Sequence, residues 1–146
     1  MPDQKSTFDY VNEIWSIANY VRDVIRPADY NKLILPFAVL RRFECALEAT
    51  RKAVSDQVAR CVWNDDDPKY CALSGHCFYN VTTFTLANLG SNNTYNALMA
   101  YINGFSANAR EVLQRFEMRS TCEKLHEKGM LYEVCTGVSG FLCLGR

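Results

Sequence analysis

The sequence has no surplus charge of either sign: Lys plus Arg number 16 and Asp plus Glu number 16 in 146 residues. That balance excludes an electrostatic footprint for nucleic acid over the whole surface and leaves room only for a local patch. Residues 22–60 supply a mild one, eight basic side chains against five acidic. No run approaches the ~18 apolar residues that a membrane span needs. The opening stretch MPDQKSTFDY has no apolar core of the kind found in a secretory leader. No Gly-rich phosphate or cofactor loop follows a strand pattern, and no second βα pattern is visible. The two histidines, His76 and His126, have no nucleophile at a recognisable spacing, and His126 stands among Glu123, Lys124, Glu127 and Lys128, as on a solvated helix face. Repeats and low-complexity tracts are also missing. On its residues alone the chain reads as an α-helical interaction or binding module, with no catalytic, cofactor-binding or metal-binding residue assigned.

What is present is a globular composition, 49% hydrophobic and 22% charged, in a chain of one-domain length that buries about two thirds of its unfolded surface. The densest apolar stretch is Tyr30–Leu47, YNKLILPFAVLRRFECAL. At 100° per residue Leu35, Val39, Leu40, Phe43, Ala46 and Leu47 share one broad face, with Arg41, Glu44 and Glu48 opposite and Lys52 an i,i+4 partner for Glu48. Almost every residue from 33 to 40 is apolar, as in a buried helix. Pro36 removes a backbone donor, so the helix is expected to kink there or to restart at the proline after a first turn from Asp29. Arg42 falls at the edge of the apolar face. Its stem packs while its head reaches water or a carboxylate, or else its guanidinium meets a phosphate or another subunit.

Upstream, Ser6-x-x-Asp9 resembles a capping box, and Val11, Ile14, Trp15, Ala18, Val21 and Ile25 predict an inward face for a helix over 7–24. Downstream, the central helix is expected to reach Ala53 or beyond, before the polar connector WNDDDPKY with a turn at Asp67-Pro68-Lys69-Tyr70. Residues 81–85 alternate like a short strand, but Thr82 as a cap predicts a two-turn helix ending at Gly90, the preferred reading. Three more helices follow. Tyr95, Leu98, Met99 and Ile102 face inward up to Asn103-Gly104; Ser106 caps a helix with Ala109, Val112, Leu113 and Phe116 inward; and Ser120-x-x-Glu123 opens one that ends at Gly129. A last helix starts near Met130, weakened by Gly137 and Gly140. Seven cysteines without a leader read as reduced core thiols, and Cys61, Cys71, His76 and Cys77 fit no usual zinc spacing. The fold predicted is mainly α: a single irregular bundle of about six to eight helices around a long central helix kinked or restarted near Pro36.

Four stretches, beginning WSIANYVRDV, SGHCFYNVTT, AYINGFSANA and LHEKGMLYEV, together resemble the N-terminal helical domain of the modification (methyltransferase) subunit of type I restriction–modification systems, over residues 8–134. ILPFAVLRR, GHCFYN…FTL and YINGFS carry the resemblance most specifically. It implies a helical domain over 1–136, with 137–146 a truncated or non-native tail and the catalytic domain, with its S-adenosylmethionine loop and Asn-Pro-Pro-Phe-type motif, absent. The parent subunit would methylate adenine N6 in flipped-out bases of double-stranded DNA. The implied partners are the catalytic domain of the same subunit, a specificity subunit, a second modification subunit and DNA, in bacterial cytoplasm and away from any membrane. Candidate DNA or subunit contacts are Arg22, Arg26, Lys32, Arg41, Arg42, Arg51 and Lys52. The competing expectation is a protein-interaction module that never touches DNA.

Overall fold

The computed structural model describes residues 15–17, 19–20, 22, 26–60 and 68–139. Among them the chain is mainly helical, as predicted, with no strand. A 3-10 turn at Pro27–Asp29 leads into α1 (Tyr30–Leu47), and a second at Glu48–Thr50 separates it from α2 (Arg51–Ala59). The rest is α3 (Pro68–Ser74), α4 (Thr94–Asn103), α5 (Ala107–Arg115), α6 (Met118–Glu127) and α7 (Leu131–Ser139). Helix α1 packs on α5, α6 and α7, α4 closes over α6 and α7, and α2 with α3 forms a smaller flank.

Helix α1 starts next to Asp29, as expected, but it runs through Pro36 without restarting. It also stops at Leu47, short of Ala53. Its buried stripe is Leu33, Phe37, Leu40, Glu44 and Leu47, the i, i+4, i+7 repeat of a packed helix. The predicted face is therefore rotated by roughly a quarter turn. Leu35 is 47% exposed, while Val39 and Phe43 are partly buried against the core. Glu44, assigned to the solvent side, is 7% exposed. A helix apolar nearly all round has little moment to orient it, and the polar partners that draw Glu44 inward lie far away in sequence.

Most of the helix expected over 7–24 lies outside the described residues; of its predicted inward face, Trp15 is 59% exposed, while its neighbour Ile17 is buried. Pro68 opens α3 rather than a turn, in keeping with proline's fit to a first helical position. Residues 81–85 form neither strand nor helix, only irregular loop beside an isolated bridge between Asn80 and Phe105. Val112 and Phe116, expected inward, are exposed. The predicted capping box at Ser120 lies inside α6, which begins at Met118 after Glu117 in the left-handed region (φ 56). Gly129 ends α6 as expected: with φ +69 it lets its own N–H reach the His126 carbonyl and Met130 N–H reach that of Leu125. Helix α7 continues through Gly137, where a Cβ would stand 3.3 Å from Ile17 Cγ1, so the tail expected from 137 begins as the last turn of α7 with Val138 buried. Cys71, Cys77, Cys122 and Cys135 are free thiols, but Cys45 is disulfide-bonded, which corrects the expectation of reduced cysteines throughout.

Candidate functional site

The polar centre of the fold is built from residues that the sequence reading left unassigned. Glu44 Oε1 accepts from Arg41 Nη1 at 2.6 Å, and Oε2 accepts from the Leu86 N–H and the Tyr101 hydroxyl, each at 2.9 Å. A buried carboxylate survives when its lone pairs are met by a cation and by donors, as these are. Burial chiefly, and then the charge of Glu44, push the Tyr101 hydroxyl well above its ordinary value, against a smaller opposing pull from Arg51. Its proton stays on the phenol and donates to the carboxylate.

Arg51 supplies the second half. Its Nη2 donates to the carbonyls of Thr82 (2.7 Å) and Phe84 (2.6 Å), to Thr82 Oγ1 and to Asn80 Oδ1, while Nε also donates to the Thr82 carbonyl. Its guanidinium lies 5.2 Å from the Tyr101 ring centroid. Asn80 in turn donates through Nδ2 to the Tyr101 carbonyl at 2.8 Å. Val81 N–H reaches the Gly104 carbonyl, and Ser106 N–H reaches that of Tyr79, both at 2.9 Å. Gly104 has an ordinary helical φ (−79), so its lack of a side chain serves space: an added Cβ would collide with Thr82 Cγ2. Phe43 packs beside the same junction, tilted against Phe78 and edge-on to Phe105, with ring centroids 4.9 and 5.8 Å apart. The segments ILPFAVLRR with its following Glu44, GHCFYN…FTL and YINGFS thus meet at one place.

The candidate cations divide into two groups. Arg41 and Arg51 are committed to this junction. The others face solvent: Arg22 and Arg42 are exposed, Arg26 and Lys32 stand 3.8 and 3.7 Å from the two oxygens of Asp29, and Lys52 pairs with Asp56 at 3.2 Å. On α1, Lys32, Leu35 and Arg42 share the side turned away from the buried stripe, with an apolar residue between two cations. His126, exposed as expected, stacks on Tyr95 at 4.9 Å.

The described residues form helices and turns with no strand–glycine-loop–helix unit, and Tyr70 is packed on Tyr79 with ring centroids 5.0 Å apart. No group of three or more His, Cys, Asp or Glu among the described residues is arranged to hold a metal ion. No described helix is long and apolar enough to cross a membrane.

Neither a curated protein nor a solved structure matches the chain. The family model described as the HsdM N-terminal domain matches residues 10–137. The match takes in all three of the stretches that meet around Glu44 and Arg51, and the chain belongs to the family of N-terminal domains of the type I restriction–modification M subunit.

Proposed function

We propose that this helical domain helps a type I modification subunit assemble and close around double-stranded DNA, and that it performs no catalysis itself. In this reading adenine-N6 methylation belongs to a separate catalytic domain that binds S-adenosylmethionine, and the other partners are the specificity subunit and a second modification subunit, in bacterial cytoplasm. The observation that carries it is the outward side of α1, where Leu35 at 47% exposure sits between the exposed Lys32 and Arg42. Cations on the outer surface can be reached by phosphates, whereas the guanidiniums of Arg41 and Arg51 are drawn into the fold. The test is to change Lys32, Arg42 and Lys52 together to Glu in the full assembly. DNA affinity is expected to fall, and its salt dependence to flatten by about one power of salt concentration per lost phosphate contact. Leu35→Asp is expected to weaken subunit association while leaving the domain folded. If the charge reversals lower subunit association alone and DNA affinity of the assembled complex is intact, the second reading holds: a docking module without DNA contact, favoured by the exposed Leu35.

A further inference from the structure

Helices α4, α5 and α6 enclose a groove of about 260 Å³. Its floor is Leu113 and Met118, both buried, and its walls include Met99 and Ile102, both partly buried. Arg110, Arg119 and Glu117 line it as well, giving two positive charges against one negative. Arg110 Nη1 donates to the Asn103 and Phe105 carbonyls at 3.0 and 2.8 Å. Those neutral acceptors fix the guanidinium in place without cancelling its charge, and its remaining N–H groups are unused among the described residues. Arg119 is exposed and has no ion-pair partner among the described residues.

A cation already held still loses little freedom when it meets an anion, and a guanidinium offers a carboxylate two parallel donors. The apolar floor calls for an aliphatic group as well. A phosphate backbone supplies the charge without the hydrocarbon, whereas a polypeptide supplies both. The volume lies below the ~300–1,000 Å³ of small-molecule sites and suits one or two side chains. We propose that this groove docks a protein segment that inserts an aliphatic side chain over Leu113 and Met118 and sets flanking carboxylates against Arg110 and Arg119. The inference goes beyond the DNA-closing role and stands whether or not Lys32 and Arg42 meet phosphates.

The test uses the full chain and a fluorescein-labelled peptide, Asp-Glu-Leu-Leu-Glu-Asp, read by anisotropy. Saturable binding is expected. Arg119→Glu should weaken it about tenfold or more, the scale of one lost charge-assisted contact, with Arg119→Lys partly restoring it. Circular dichroism checks that both variants stay folded. Replacing the peptide's leucines by serine, or its acids by their amides, should each abolish binding. Equal binding of either altered peptide overturns the proposal, as does no saturable binding up to ~1 mM. A short DNA duplex that displaces the peptide and depends equally on Arg119 would identify a phosphate site instead.

Discussion

Glu44 ties together residues 42 and 57 positions away in the chain, through one carboxylate oxygen shared by Leu86 N–H and the Tyr101 hydroxyl. Removing it takes an acceptor from three donors at once, one of them charged. Glu44→Ala is expected to cost about 3 kcal/mol or more, and Tyr101→Phe about 1–2 kcal/mol, read from urea unfolding midpoints. The two losses should be less than additive, because both delete the same bond. Two thiols belong to the same buried region. Burial and then the charge of Glu44 push Cys135 up to about 12, and burial above all raises Cys122 well beyond the ordinary 9.0. Both keep their protons in the native state and release them more readily when unfolded. Their contribution to stability is therefore complete below pH 9.0 and is lost as pH rises toward about 12. Alkaline urea titrations should show that decline, and Cys135→Ala should flatten it. Near pH ~8, iodoacetamide should label the exposed Cys77 in the native protein and spare Cys122 and Cys135, as mass spectrometry can read.

At the scale of elements, the loop of residues 75–93 holds its place through Arg51, Asn80 and the bare Cα of Gly104. Gly104→Ala should destabilise by about 1–3 kcal/mol through the clash with Thr82 Cγ2. Thr82→Ser, which removes that methyl and keeps the hydroxyl, should recover part of the loss in the double variant. Helix ends were legible in the sequence where the signal is local. Examples are Gly129 after α6, Asn103-Gly104 after α4, and the start of α1 beside Asp29. The facing of α1 was not, since apolar residues surround it and Glu44 alone looks like a solvent group. Residues 81–85 misled for a related reason: Thr82 and Asn80 spend their side chains on Arg51 and on each other rather than on a helix cap. Ser106 was placed correctly before α5, yet its hydroxyl donates to Asn108 Oδ1 and accepts from Tyr79 N–H, the second a use that only the tertiary fold creates. The candidate cations were all identifiable by type, but that the fold would absorb Arg51 depended on distant carbonyls, such as that of Thr82, 31 residues away.

Over the whole molecule, α1 is the element on which the others are assembled: it packs on α5, α6 and α7 while its Glu44 reaches the loop and α4. The three stretches that carry the family resemblance converge there, which ties the match over residues 10–137 to a physical centre. The outer side of α1 and the groove of α4–α6 are the two surfaces proposed above to meet partners.

The Glu44 knot also makes the domain a candidate for splitting. A polypeptide ending after α2 and another starting at α3 would each carry half of it, the carboxylate and guanidinium on one, the phenol and amide on the other. Neither half should hold its native helices alone, and mixing them should restore the far-ultraviolet signal at equimolar ratio. A Glu44→Ala first half should fail to complement its mate.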